Sequence, residues 1–169
     1  DLNTLKIKSP SNANTKIDIK MGKSYKNRFV YYFGSNLKSV CGSIPSSKIS
    51  YKNTTNIGVV KTDENGIALL NLRCPNMYYE NGKTFYPHVH FVVANKTNTK
   101  WVNRLYAKLV LCDVSKKELK HIIKGNCTMI INALSSKYFV QNRIPSSISL
   151  PVEVAKNSTS TVLKKYIKD

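Results

Sequence analysis

YYENGKTFYPHVHFVV, residues 78–93, carries two of the three histidines in the chain, His88 and His90, just after Tyr78, Tyr79 and Tyr86. Its second half, HVHFVVA, is rich in Val and Phe and reads as a strand. In a strand, residues i and i+2 point to the same face. His88 and His90 therefore project together, while Val89 faces the other way, into a core. Two imidazoles on one face can share a metal ion. The neighbouring phenols of Tyr78, Tyr79 and Tyr86 could supply anionic oxygen to a ferric ion. Histidine with phenolate is an iron-type donor set, whereas histidine with thiolate leans toward zinc or copper. The competing reading is two histidines on a solvated sheet face.

Working outward, the texture is β from Lys6 to Cys112. Arg28–Phe33, Ile57–Thr62, Gly66–Leu72, His88–Ala94 and Arg104–Cys112 are short runs rich in Val, Ile, Tyr and Phe. Turn signals separate them: Gly34-Ser35-Asn36, Pro75-Asn76, Asn81-Gly82 and Thr62-Asp63-Glu64-Asn65-Gly66. The last is expected to close a hairpin, because Asn-Gly tolerates positive φ. Short strands at this spacing predict an antiparallel β-sandwich or barrel over residues 1–112.

The pattern changes at Asp113, so residues 113–169 are expected to form a second, small and partial α/β segment. Ser115 and Glu118 make a capping box. Leu119, Ile122 and Ile123 give the helix one apolar face, and Gly125 ends it. Cys127–Asn132 reads as a fully buried strand, Ser135–Gln141 as a short helical turn, Ile148–Pro151 as a strand and Ser158–Lys168 as a basic helix. Buried strands alternating with helices suit a parallel sheet. His121 is expected at the surface.

Two resemblances sharpen this. Thr62-Asp63-Glu64-Asn65-Gly66, Pro75-Asn76-Met77-Tyr78, Gly82-Lys83 and His88-Val89-His90-Phe91 stand in the order and approximate spacing of the intradiol ring-cleavage dioxygenase family, over about residues 25–112. The resemblance implies a β-sandwich in which two tyrosinates and the two histidines hold a ferric ion (Fe3+). A catechol-like phenol is then cleaved by O2 between its hydroxyl-bearing carbons. The implied ligands are His88, His90 and Tyr78, with Tyr79 as the alternative to Tyr78. Counting from Val30 to Val40 puts Cys41 at the position of the family's first ligand tyrosine. Tyr51, the nearest later phenol, falls ten residues further on. A Cys41 thiolate is a metal donor in its own right. The family's substrate-holding arginine falls near Lys83 or Phe85. Lys83 keeps the charge for a substrate anion but loses the planar fork.

The helix-and-strand run from Val114 to Leu134, followed by Arg143-Ile144-Pro145-Ser146-Ser147-Ile148-Ser149-Leu150-Pro151, resembles the opening of a rhodanese-like domain. A rhodanese carries its catalytic cysteine in a later turn, and Cys127 reads as a core residue. No sulfurtransferase activity is expected from these residues.

The charge is lopsided: 27 Lys and Arg oppose 9 Asp and Glu, a net charge of +18. This favours anionic partners such as nucleic acid or acidic protein, although the basic residues are scattered and the chain is rich in Lys and Asn throughout. The Tyr and Lys residues of SYKNRFVYYF (24–33) could stack bases, but they also fit ordinary strand amphipathicity. No apolar run approaches the ~20 residues of a membrane span. Cys41, Cys74, Cys112 and Cys127 contain no CxxC and permit disulfides whose pairing is open. Sequons at Asn53, Asn95, Asn126 and Asn157 weakly raise secretion; a cytoplasmic or virion setting is favoured. The leading function is a metal-dependent oxygenase. The alternative is a non-enzymatic structural or virion-associated protein that reuses both folds and binds an anionic partner through its basic surface. Composition and architecture would suit a large DNA virus.

Overall fold

A computed structural model describes residues 2–36, 45–125 and 130–157. The chain divides into two compact units, residues 1–113 and 114–169. The described residues are mainly β, with 33% strand against 22% helix.

In the first unit, β1 (Thr15–Lys20) pairs antiparallel with β4 (Ile67–Leu72). A four-stranded antiparallel sheet runs in the order β3 (Ile57–Lys61), β2 (Phe29–Gly34), β7 (His88–Val93), β8 (Tyr106–Leu109). A small hairpin joins β5 (Tyr78–Glu80) to β6 (Lys83–Phe85), and a single helical turn, α1 (Ser47–Ser50), precedes β3.

The two-stranded ribbon and the four-stranded sheet share one core. Ile19 comes from β1 and Ala68, Leu70 and Leu72 from β4; Val30, Tyr32, Val60, Val89, Phe91 and Val93 come from the sheet. Strand alternation selects them: Val89, Phe91 and Val93 face the core, while His88, His90 and Val92 face the other side. Each fully buried aliphatic side chain contributes about 1.5–3 kcal/mol of transfer free energy. Tyr32 is wholly buried, yet its hydroxyl is satisfied by donating to the Asn71 carbonyl at 2.6 Å. Its ring crosses Gly58, its register partner on β3, where a Cβ would sit 2.2 Å from the ring.

The Thr62–Gly66 turn forms, but it does not close a hairpin. Its Asp63 carboxylate accepts from the Asn65 and Ile67 amides at 2.9 and 2.8 Å. It carries the chain out of the sheet, so that β3 pairs with β2 and β4 with β1. The residues encode the bend; the partner of β4 is set by burial of Leu70 and Leu72 against the sheet. By contrast, Asn81 (φ 50°) and Gly82 (φ 76°) both take positive φ and close the β5–β6 hairpin.

In the second unit, α2 (Lys116–Gly125) opens with the expected capping box: the Ser115 amide donates to Glu118 at 2.7 Å and the Glu118 amide to Ser115 Oγ at 3.2 Å. The Ser115 side chain, and after it the Ser115 amide, hold the Glu118 carboxyl below the usual carboxylate range. Ile122 is buried, Leu119 and Ile123 are half-buried, and His121 is exposed. β9 (Ile130–Asn132) pairs parallel with β10 (Ser147–Ser149), with α3 (Ser136–Gln141) between them and α4 (Val152–Asn157) after. β9 is not fully buried, since Ile131 is 47% exposed. A two-stranded pair leaves one face of this strand without a covering layer within the described residues. Cys41, Cys127 and the expected Ser158–Lys168 helix lie outside the described residues.

Candidate metal centre

His88 and His90 leave β7 on the face opposite the core and converge with two phenols. His88 Nε2 lies 3.1 Å from His90 Nε2, 3.1 Å from the Tyr51 hydroxyl and 3.4 Å from the Tyr78 hydroxyl. On its other side, His88 Nδ1–H donates to the Tyr86 carbonyl at 2.6 Å. A carbonyl can only accept, so this bond places a proton on Nδ1, and in the neutral ring Nε2 then carries a single lone pair. Three polar groups therefore crowd one lone pair, which accepts only one hydrogen bond well, while the two hydroxyls also bond each other. A cation among the four donors would satisfy all of them. Bonds of about 2.0–2.1 Å to such an ion separate neighbouring donors by about 3 Å, which is the spacing found.

The local sequence explains each placement. The β5–β6 hairpin turns Tyr78 toward the histidines, where it is 6% exposed. Tyr79, the next residue in the strand, points away and is 49% exposed. Tyr79 contributes only its amide, which donates to the Pro45 carbonyl. Tyr86 is exposed and acts through its backbone carbonyl rather than its phenol. Tyr51 follows α1, and Ser47 on that turn donates to the Glu80 carboxylate at the end of β5. The elements bearing the two phenols are thus tied together. Ser35, wholly buried after β2, holds Asn76 through both its amide and its carbonyl, each at 2.7 Å, and so fixes the approach to β5.

Aromatic rings sheath the donors. Phe33, the register partner of His90, stacks on it at 5.2 Å, and Phe85 stacks on Tyr78 at 5.0 Å. Burial, reinforced by the neighbouring His88, pushes the His90 pKa down, so its ring is neutral and able to ligate near neutral pH. Among the described residues no hydrogen bond reaches the buried His90 Nδ1, although the Tyr106 backbone favours the protonated ring. Burial is also the main cause raising both phenols, helped at Tyr51 by Tyr78 and at Tyr78 by Glu80. Binding a cation must therefore displace phenolic protons, which makes occupancy rise with pH.

Of the residues expected from the sequence, His88, His90 and Tyr78 come together. Lys83 is exposed on β6, and no hydrogen bond or ion pair joins it to the four donors. Cys41 falls outside the described residues. The residue that sequence reasoning passed over is Tyr51, set aside because it lies ten positions beyond the expected place. Its signal was that it is the first phenol after β2, and a longer β2–β3 connection brings it back. Among the described residues, no group of three or more His, Cys, Asp or Glu side chains could hold a metal, so the two-histidine, two-tyrosine cluster is a different kind of donor set. No protein-family model matches the chain, and no curated protein matches it either.

Proposed function

We propose that the first unit is a β-sandwich of the intradiol dioxygenase type, with Tyr51, Tyr78, His88 and His90 as protein ligands to ferric iron. One observation carries the reading: three donors crowd the single lone pair of His88 Nε2 at 3.1–3.4 Å. The common core of ribbon and sheet supports the sandwich. Iron bound there would act as a Lewis acid that holds a catecholate and brings it together with O2. The chain's own contributions are separate. Tyr86 fixes the His88 tautomer through its carbonyl. The phenols give up protons to provide charge that offsets the cation. Phe33 and Phe85 provide apolar walls that limit water. The substrate class is a catechol-like phenol, cleaved between its two hydroxyl-bearing carbons. For the second unit we propose the opening of a rhodanese-like fold, supported by the capped α2 and the parallel β9–β10 pair.

Elemental analysis with a visible spectrum tests the central claim. One iron per chain with a phenolate-to-iron charge-transfer band, lost in His88→Ala, is the expected result; ring-cleaved product from catechol and O2 would then establish the activity. Failure to retain iron after loading would reject the site and leave the scaffold reading, with a basic surface for an anionic partner.

A further inference from the structure

Tyr31 shares its face of β2 with Phe33, and a cleft lies over it. This half-open cleft of about 510 Å³ is lined by Leu5, Lys6, Lys8, Tyr31, Val59 and Trp101. The Tyr31 and Trp101 ring centroids are 6.2 Å apart and tilted by 54°. Phe29, Val59 and Ala94 back them as a separate small core, with Leu2 and Leu5 packed alongside.

The walls are pinned by backbone. Lys8 and Val59 exchange both main-chain hydrogen bonds, at 3.0 and 2.8 Å. Trp101 sits opposite Ala94 in a bridge, and the adjacent Val102 amide donates to Val93 at 2.8 Å. A ligand therefore need not order the site it enters. Lys6 and Lys8 both line the cleft, and both are exposed. None of the six lining residues is acidic.

We propose that this cleft binds a small planar aromatic carboxylate. The ring lies against Trp101 and Tyr31, and the carboxylate sits between the Lys6 and Lys8 ammonium groups. The volume is that of a small-molecule site, mostly apolar with a few convergent charges. A single-stranded nucleic acid would need a longer groove with aromatic platforms in succession. The net charge of +18 adds a general pull on anions, and the cleft sets two lysines beside apolar and aromatic side chains. The inference is independent of the metal reading.

Trp101 is the only tryptophan, so its indole N–H gives one resonance that reports on the cleft. Titrating the metal-free chain of residues 1–169 with 2-naphthoate at physiological salt is expected to shift that resonance to saturation at one equivalent. The uncharged 2-naphthylmethanol, and the Lys6→Glu/Lys8→Glu variant, should each bind about tenfold more weakly, the scale of two exposed ion pairs to one anion. Unchanged amide resonances elsewhere would show that the variant is folded. The proposal is overturned by an unmoved indole, by equal binding of the uncharged probe, or by shifts spread over basic residues across the surface. An indole shift that follows protein concentration rather than probe would also overturn it, by placing a second copy in the cleft.

Discussion

At the scale of single residues, Tyr51 decides between two readings of the site. With Cys41 in the fourth position the donor set would be mixed in softness; with Tyr51 it is two imidazoles and two phenols. Tyr51→Phe removes an oxygen 3.1 Å from His88 Nε2 and little volume. It is expected to lower iron affinity by about 100-fold or more, beyond the usual loss for a supporting residue, and to weaken the charge-transfer band. Cys41→Ser is expected to leave both unchanged. Equilibrium iron titration of the two variants checks this, and the reverse pattern would restore Cys41 as the ligand.

His90 makes a second residue-scale prediction. Its folded-state pKa is lowered from 6.5. Between that lowered value and 6.5 the unfolded chain binds more protons than the folded one, so stability is fully present above 6.5 and falls as pH drops through the window. The urea midpoint of the metal-free protein should therefore decrease from about pH 7.5 to about pH 5.5. His90→Gln should flatten that slope. A midpoint that is insensitive to the substitution across this range would contradict the burial argument.

At the scale of elements, the connection between β3 and β4 carries an unusual demand. Gly66 has φ +74°, and a Cβ there would meet the Gly22 carbonyl oxygen at 1.9 Å. The Met21 amide donates to the Gly66 carbonyl at 3.0 Å, which locks the two turns together. Gly66→Ala must therefore shift backbone rather than a flexible side chain. A loss of about 2–4 kcal/mol is expected, combining left-handed strain with the clash. Denaturant unfolding measures it; a loss below about 1 kcal/mol, less than left-handed strain alone costs, would mean that the two turns do not constrain each other. The Asn81-Gly82 and Ser115–Glu118 signals were legible in the sequence because each depends only on residues two or three apart. The pairing of β4 with β1 was not legible, because the Thr62–Gly66 turn suits either a hairpin or a crossover between layers.

At the scale of the whole molecule, a disulfide joins Cys74, just after β4, to Cys112, near the end of the first unit, over a separation of 38 residues. Closing a loop of that length in the unfolded chain stabilises the fold by about 2–4 kcal/mol on the chain-entropy model. Cys74→Ala/Cys112→Ala is expected to lose that amount in denaturant unfolding. It should also loosen iron binding, because Cys74 starts the short segment that leads into β5 and Tyr78. If stability falls while iron affinity is unchanged, the Ser35–Asn76 clamp holds that segment unaided. Such a bond persists in oxidising surroundings, a condition to respect when the protein is prepared.

Taken by itself, the sequence determined the strand-rich first part, the capped helix after Asp113 and the shared face of His88 and His90. All three follow from local geometry, the period of two in a strand and the three-residue reach of a capping box. The tertiary structure alone decided the partner of β4, the Cys74–Cys112 pair and the arrival of Tyr51, 37 residues from His88 in the chain. Those contacts depend on how long loops return across packed sheets. Spacing along the chain cannot specify such returns, because loop length changes freely without changing where the ends meet.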